Sequence, residues 1–157
     1  MTKAEQPKKT LRRDAVALVA ACPGLNSRAV ARRISQFLDR ELAGSGLSLA
    51  QLGLMAQIAA AEDDRLGALA DRIGLDQSTL SRNLRTLEGA GMVEIAIVEK
   101  DLRRRAVWLT EAGARRLEAA VPVWRAAQKR MALLLEVDLV RRLAIESDAL
   151  LADDKAA

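Results

Sequence analysis

Residues 75–93 read LDQSTLSRNLRTLEGAGMV. The spacing predicts a short helix that starts at Asp76, its cap, and stops at Gly91. Leu80, Leu84 and Leu87 recur at i, i+4 and i+7, the stripe of a helix buried on one side. On a wheel turning about 100° per residue, Ser78, Arg82 and Arg85 fall opposite Leu80, with Thr79, Ser81 and Thr86 beside them. That outer face carries small hydroxyls and two arginines and no Leu, Val or Phe. It is made to meet something polar and anionic.

Upstream, a second short helix is expected over about Leu66 to Ile73, closed by Gly74. Asp63-Asp64 makes the turn before it and can cap it. Leu69-Ala70, Ile73-Gly74-Leu75 and Leu80/Leu84 then form one connected pattern. One helix ends at a glycine turn, and the next starts at once and shares its core. Ala70 is small where the two backbones cross. This is the logic of a helix-turn-helix. Before it, Ser48-Leu49-Ala50-Gln51 is a capping box that opens a helix through Leu52, Met55, Ile58 and Ala59, ending near Glu62. Downstream of Gly91 the period changes to two. Val93, Ile95 and Ile97 alternate with Glu94, Ala96 and Val98, and Val107 and Leu109 alternate with Ala106 and Trp108. Two short β-runs around the polar tip 99–105 read as a hairpin.

The flanks are helical. Residues 1–10 are polar and Lys-rich and are expected to be disordered. Leu11, Ala15, Leu18 and Val19 predict a short helix to Ala21, broken by Pro23-Gly24. A second starts at Asn26 or Ser27, with Val30, Ile34, Phe37, Leu38 and Leu42 as its stripe, and ends at Ala43-Gly44-Ser45-Gly46. No Gly-Lys-Ser/Thr follows those glycines, so they read as a turn rather than a phosphate loop. After the hairpin, Thr110 caps a long helix in which Leu117, Trp124 and Met131 recur every seven residues. Ala120/Val121, Ala127/Gln128 and Leu134/Leu135 fill the second seam, a pattern that asks for a partner helix. Pro122 inside it removes one backbone bond and is expected to bend it. A last helix is expected from about Asp138 to Leu151, with Leu139, Leu143, Leu150 and Leu151 as apolar contacts.

Composition narrows the chemistry. At 157 residues with a net charge of +4, the chain suits one domain with an added interaction surface. Charge is uneven. Lys3, Lys8, Lys9, Arg12 and Arg13 crowd the start, Lys100, Arg103, Arg104 and Arg105 crowd the hairpin tip, and the tail from Glu136 is net acidic. There is no histidine, which excludes a His general base, a His triad and the usual zinc sites. No nucleophile–base pair, metal cluster or phosphate loop is visible, so neither an enzyme nor a cofactor is expected. The single Cys22 forms no internal disulfide, which fits a reducing cytoplasm. Neither a signal peptide nor an 18-residue apolar span is present.

The outer face of Ser78, Arg82 and Arg85 matches double-stranded DNA. A major groove about 12 Å wide admits one helix. Hydroxyls let it sit deep, and arginine forks onto guanine or holds phosphate. A basic hairpin reaches the neighbouring minor groove or backbone.

At this point a family resemblance carries further. Asp101-Leu102-Arg103-Arg104-Arg105-Ala106-Val107-Trp108-Leu109-Thr110 resembles the wing signature Asp-x-Arg-x-x-x-(Leu/Val)-x-Leu-Thr of the MarR family, the multiple-antibiotic-resistance type of bacterial regulator. Leu80-x-x-x-Leu84-x-x-Leu87-Glu88-x-x-Gly91-Met92-Val93 fits as well. Residues 48–118 resemble the family's winged helix-turn-helix core, and weaker similarity runs over about 25–150. The resemblance implies a mainly α fold with a small β-hairpin wing, and N- and C-terminal helices that form an obligate homodimer. The expected organisation is a tail at 1–10, N-terminal dimerisation helices at 11–47, a DNA-binding domain at 48–109 and C-terminal dimerisation helices at 110–157.

It also implies a repressor on a pseudo-palindromic operator, released by a small, often aromatic acid ligand. Ser78, Thr79, Ser81 and Arg82 are then expected at bases or adjacent phosphates, and Arg85 at the backbone. Arg103 is the wing arginine, and Asp101 orients the wing by pairing with an arginine. Lys100, Arg104 and Arg105 attract phosphate, although strand alternation keeps all three from facing DNA together. Phe37, Met55, Trp108 and Trp124 are the candidates for an effector site, against a plainer reading as core and dimer packing. Cys22 lacks the tyrosines with which the peroxide-sensing branch supports its thiolate, and reads more simply as a small buried or semi-buried side chain. Ile95-Ala96-Ile97-Val98 is more apolar than the Arg-rich segment many members carry there, so that stretch is expected to pack on the body. The competing reading is a dimeric winged-helix adaptor that binds protein and not DNA. It predicts a recognition face depleted of arginine and hydroxyls or carrying apolar residues.

Overall fold

The computed structural model describes residues 9–74, 77–98 and 101–152. They divide into two compact units, one up to Arg40 and one from Glu41 onward.

The first unit holds helix α1 (Lys9–Ala21) and most of α2 (Pro23–Leu42). The expected break at Pro23-Gly24 is a single residue wide. Cys22 N–H donates to Leu18 O at 2.9 Å and Cys22 O accepts from Asn26 N at 3.1 Å, so the two helices meet at Cys22. Pro23 takes the first position of α2, where its missing N–H costs nothing and its fixed φ suits the helix. Asn26 therefore does not cap α2. Its side chain donates back to Ala20 O at 3.1 Å, at the end of α1. Leu11, Val16, Leu18 and Val19 of α1 are 58% to 63% exposed.

The second unit contains the hydrophobic core. Helices α3 (Leu49–Ala59), α4 (Leu66–Ile73) and α5 (Gln77–Gly89) precede strands β1 (Val93–Val98) and β2 (Asp101–Leu109), and α6 (Glu111–Ala132), α7 (Val137–Ser147) and α8 (Ala149–Ala152) follow. Leu42, Leu47, Leu52, Met55, Ile58, Leu69, Leu80, Leu84, Leu87, Val93 and Val107 are packed together with Ala120 of α6. The fold class is the expected one: helices around a two-stranded antiparallel wing.

Local signals place most of the boundaries. Ser48 caps α3 with both arms of its box present: Gln51 N–H donates to Ser48 Oγ at 3.2 Å, and Ser48 N–H donates to Gln51 Oε1 at 2.9 Å. Ser48→Ala is expected to lower stability by about 1 kcal/mol, read as a shift of the urea midpoint with an unchanged slope. An unmoved midpoint would mean that the box does not hold the helix in solution. Gly74 ends α4 in the left-handed conformation at φ 66°, where a Cβ is disfavoured.

Three further helix boundaries differ from expectation. The helix after Ser48 stops at Ala59, short of Glu62. Residue 65, not Asp63 or Asp64, is the cap position of α4. Asp63 Oδ1 instead accepts from Arg65 N–H at 2.9 Å, a local turn that competes with capping. The last helix is two: Ser147 Oγ donates to Ala144 O and Asp148 N–H to Ile145 O, which tightens the chain between α7 and α8.

The hairpin pairs Val93 with Leu109 through Ile97 with Arg105, then shifts so that Val98 meets Asp101. Strand β2 thus begins well before the expected run at Ala106. Backbone pairing extends past the polar residues that obscured it: Arg105 pairs with Ile97, and Asp101 meets Val98 after the shift. A bridge between Arg65 and Ala106 and a bond from Val107 N–H to Asp64 O (3.0 Å) seat the far edge of the wing on the loop before α4.

Helix α6 runs unbroken through Pro122. Arg116 donates to Ser45 O at 3.1 Å and Arg130 to Glu41 Oε2 at 2.7 Å, fixing α6 against the start of the unit.

Candidate nucleic-acid interface

Helix α5 is two-faced. Leu80, Leu84 and Leu87 are each 1% exposed in the core. Ser78, Arg82 and Arg85 are exposed on the other side, with Thr79 and Ser81 half-buried at its margin. The pairing follows from the 3.6-residue period: burying the leucine stripe leaves the hydroxyls and guanidinium groups no place but the surface. Ser78, Ser81, Arg82, Arg85 and Thr86 line a broad depression of about 540 Å³ on that surface. Of the expected recognition residues of α5, Ser78, Ser81, Arg82 and Arg85 are therefore brought together on one open face, and Thr79 does not line it.

Two further concavities flank α5. One, of about 340 Å³, lies between α5 and the wing and is lined by Leu66, Ser81, Leu84, Arg85, Glu88, Ile95, Ala96 and Arg105. Arg105 is exposed and joins this second surface. Ile95 and Ala96 are half-buried, and the side chains of Ile97 and Val98, the rest of the stretch expected to pack on the body, lie outside the described ones. The other, of about 360 Å³, is lined by Ser48, Ala50, Gln51, Leu54, Asn83 and Thr86. Asn83 and Thr86 were not among the expected site residues. Thr86 borders two of the three concavities, and its hydroxyl donates to Arg82 O at 3.2 Å. The helical wheel puts Thr86 beside the polar face, a signal in the sequence. Asn83 sits next to the leucine stripe, where only the packing of α3 gives it a role.

For the wing tip, Lys100 lies outside the described residues. Asp101, Arg103 and Arg104 belong to β2, and their side chains lie outside the described ones. Arg65, at the foot of the wing, is a cation the sequence reading passed over. Its Nε donates to Asp63 Oδ1 at 2.9 Å and Oδ2 at 2.7 Å, and its Nη2 also meets Oδ2. The hydrogen bond to Asp63, and then its charge, raise the guanidinium pKa above the ordinary arginine value. The paired carboxylate offsets the charge that Arg65 would offer to a phosphate.

The four effector candidates stand on four different elements. Phe37 is half-buried on α2. Met55 is fully buried in the core, with no surface of its own to offer. Trp108 on β2, opposite Glu94, is 39% exposed, and Trp124 on α6 is 38% exposed. Among the described residues, no three His, Cys, Asp or Glu side chains are placed to hold a metal, and no single helix is long and apolar enough to cross a membrane.

The sequence pattern that defines the MarR family matches residues 45–104, which run from the turn before α3 into the wing. No curated protein matches the chain by sequence. Among solved structures, the transcriptional regulator MosR of M. tuberculosis in complex with DNA is similar at 32% identity. The alignment covers 83% of this chain and 97% of that one, with a TM-score of 0.75. E. coli MarR complexed with operator DNA shares the fold at 23% identity, covering 85% and 97% of the two chains, TM-score 0.72. So does the regulator PcaV of Streptomyces coelicolor in complex with its natural ligand, at 20% identity, covering 80% and 94%, TM-score 0.69. With its leucine-backed recognition helix, its hairpin wing and near-complete coverage of MosR, this chain belongs to the MarR family of winged-helix, DNA-binding transcriptional regulators.

Proposed function

We propose that this protein is a homodimeric repressor that binds a pseudo-palindromic DNA operator in the cytoplasm and leaves it when a small aromatic acid binds. The observation that carries the reading is the exposed face of Ser78, Arg82 and Arg85, held outward by three leucines on the opposite side of α5. An adaptor for protein partners is expected to lack the arginines and hydroxyls of that face or to carry apolar groups there. In the proposed complex Ser78, Thr79, Ser81 and Arg82 meet bases or adjacent phosphates, and Arg85 holds the backbone. Arg103 is the wing arginine, Asp101 orients the wing, and Lys100, Arg104 and Arg105 attract phosphate.

The homodimer is supported by apolar surface left exposed among the described residues. Leu133 and Leu134 at the end of α6 are 85% and 75% exposed, and Leu139, Leu143 and Ile145 of α7 are exposed too. Patches of this kind mark association surfaces. The effector reading draws on PcaV and its natural ligand; Phe37, Met55, Trp108 and Trp124 are the residues proposed for it.

The test is a fluorescence anisotropy titration onto duplexes tiled from the upstream intergenic region and onto a scrambled control, at two salt concentrations. One tile bound at least about 10³-fold tighter than the control is expected. Release of that tile by an aromatic acid would carry the effector reading. No binding at low salt would turn the assignment to the protein adaptor. On the same tile, Arg103→Ala is expected to weaken binding to every sequence alike and to make the salt slope shallower by about one. An unchanged affinity and slope would take Arg103 out of the interface.

A further inference from the structure

The corner where the recognition helix hands over to the wing is built more tightly than capping alone requires. Helix α5 ends with Gly91 at φ 69°. Met92 N–H donates to Leu87 O and Gly91 N–H to Glu88 O, both at 2.9 Å. This is the paired closure of a Schellman motif, so the backbone of Gly91 and Met92 is rigidly continuous with the last turn of α5. The first turn of α6 is locked to the same two residues. Thr110 N–H donates to Met92 O at 3.1 Å. The Thr110 hydroxyl accepts from Gly113 N–H at 3.0 Å and donates to Gly91 O at 2.6 Å. An N-cap needs only the first of those two hydroxyl bonds. The second reaches back nineteen residues along the chain.

Gly113 completes the joint. It is buried, and a Cβ there would stand 1.9 Å from Met92 O and 2.8 Å from Met92 C. Glycine weakens a helix, and here its only structural return is that α6 can lie directly on the Met92 carbonyl. The end of α5 and the start of α6 therefore move as one body.

We infer that Thr110 and Gly113 are positioning residues that set which half-site spacing the protein accepts. The inference rests on the homodimer proposed above. If two copies join through their C-terminal helices, the direction of α6 is fixed by the partner, and the direction of α5 is fixed by the DNA groove. The joint between them determines the separation and angle of the two reading heads. Half-sites recur once per turn, about 34–36 Å or 10–10.5 base pairs. One inserted base pair therefore turns a half-site by roughly 35° relative to its mate. A stiff joint rejects that change, and a loosened one accommodates it.

The experiment uses the operator identified above, the same operator with one or two base pairs inserted at its centre, and an isolated half-site. The variants are Thr110→Val, which keeps shape and loses both hydroxyl bonds, Thr110→Ser, which restores them, and Gly113→Ala. Thr110→Val is expected to shrink the preference for native over altered spacing by about five- to tenfold, the weight of a lost hydrogen bond. Its affinity for the isolated half-site stays at the wild-type value, and Thr110→Ser recovers the preference. If Gly113→Ala does not fold, Thr110→Val carries the test alone. Parallel losses on native operator, altered operator and half-site would overturn the inference, since simple damage to the domain acts on all three. So would unchanged discrimination in a protein that sediments as a dimer. A monomer in sedimentation at the binding concentration would overturn the homodimer and this inference together.

Discussion

Leu84→Ala is expected to lower the unfolding free energy by about 2–5 kcal/mol, among the largest effects of any single substitution in this chain. Leu84 is 1% exposed and sits between Leu80 and Leu87 on the buried side of α5. Deleting its isobutyl group forfeits the transfer energy of the removed carbons and leaves a cavity that a domain this small closes only in part. The surrounding Leu, Ile and Met side chains come from α3 and α4 as well as α5, so the loss is not local to one helix. Urea unfolding followed by circular dichroism reads the change. Operator affinity should fall with it, because the outer face of α5 is held only by the inner one. A loss below about 1 kcal/mol, within the range of volume-conserving swaps, would mean that α5 is not seated in the core as described.

Arg82→Ala carries the second large effect, and it leaves stability alone. Arg82 is exposed and borders the main depression on α5. Its removal opens no cavity and strands no buried partner, so the unfolding midpoint should stay in place. On the operator the expected cost is roughly 1–3 kcal/mol if its guanidinium forks onto a base edge. The same variant on random duplex distinguishes the two roles an arginine has here. A cost confined to the operator makes Arg82 a base reader. An equal cost on both makes it a phosphate contact, and the specificity then rests with Ser78, Thr79 and Ser81.

Both predictions concern α5, the element most legible in the sequence. Its three leucines, two arginines and flanking hydroxyls lie within a dozen residues. A 3.6-residue period sorts them without knowledge of anything else. The same holds for the Ser48–Gln51 box, the Gly74 stop and the Thr110 cap, where a side chain bonds a backbone group three residues away or a glycine relieves its own Cβ. The hairpin was legible as alternation, but its length was not. Arginines at 103–105 hide the strand in a hydropathy pattern, while backbone pairing with β1 extends it to Asp101. Helix α2 started earlier than expected because proline reads as a breaker from one side and as a first helical residue from the other. Only the chain geometry at Cys22 chooses between them.

By itself the sequence determined the helix register, the caps, the two faces of α5 and, through the wing signature, the family, since each depends on neighbours in the chain. The tertiary structure decided what depends on residues far apart. It brought Asn83 and Thr86 against the start of α3 and placed Arg105 beside Arg85 and Glu88. It also pressed Gly113 onto the Met92 carbonyl. No period or composition reveals that last contact, because a glycine is silent in every hydrophobic pattern. Its reason for being glycine lies in a backbone twenty-one positions earlier.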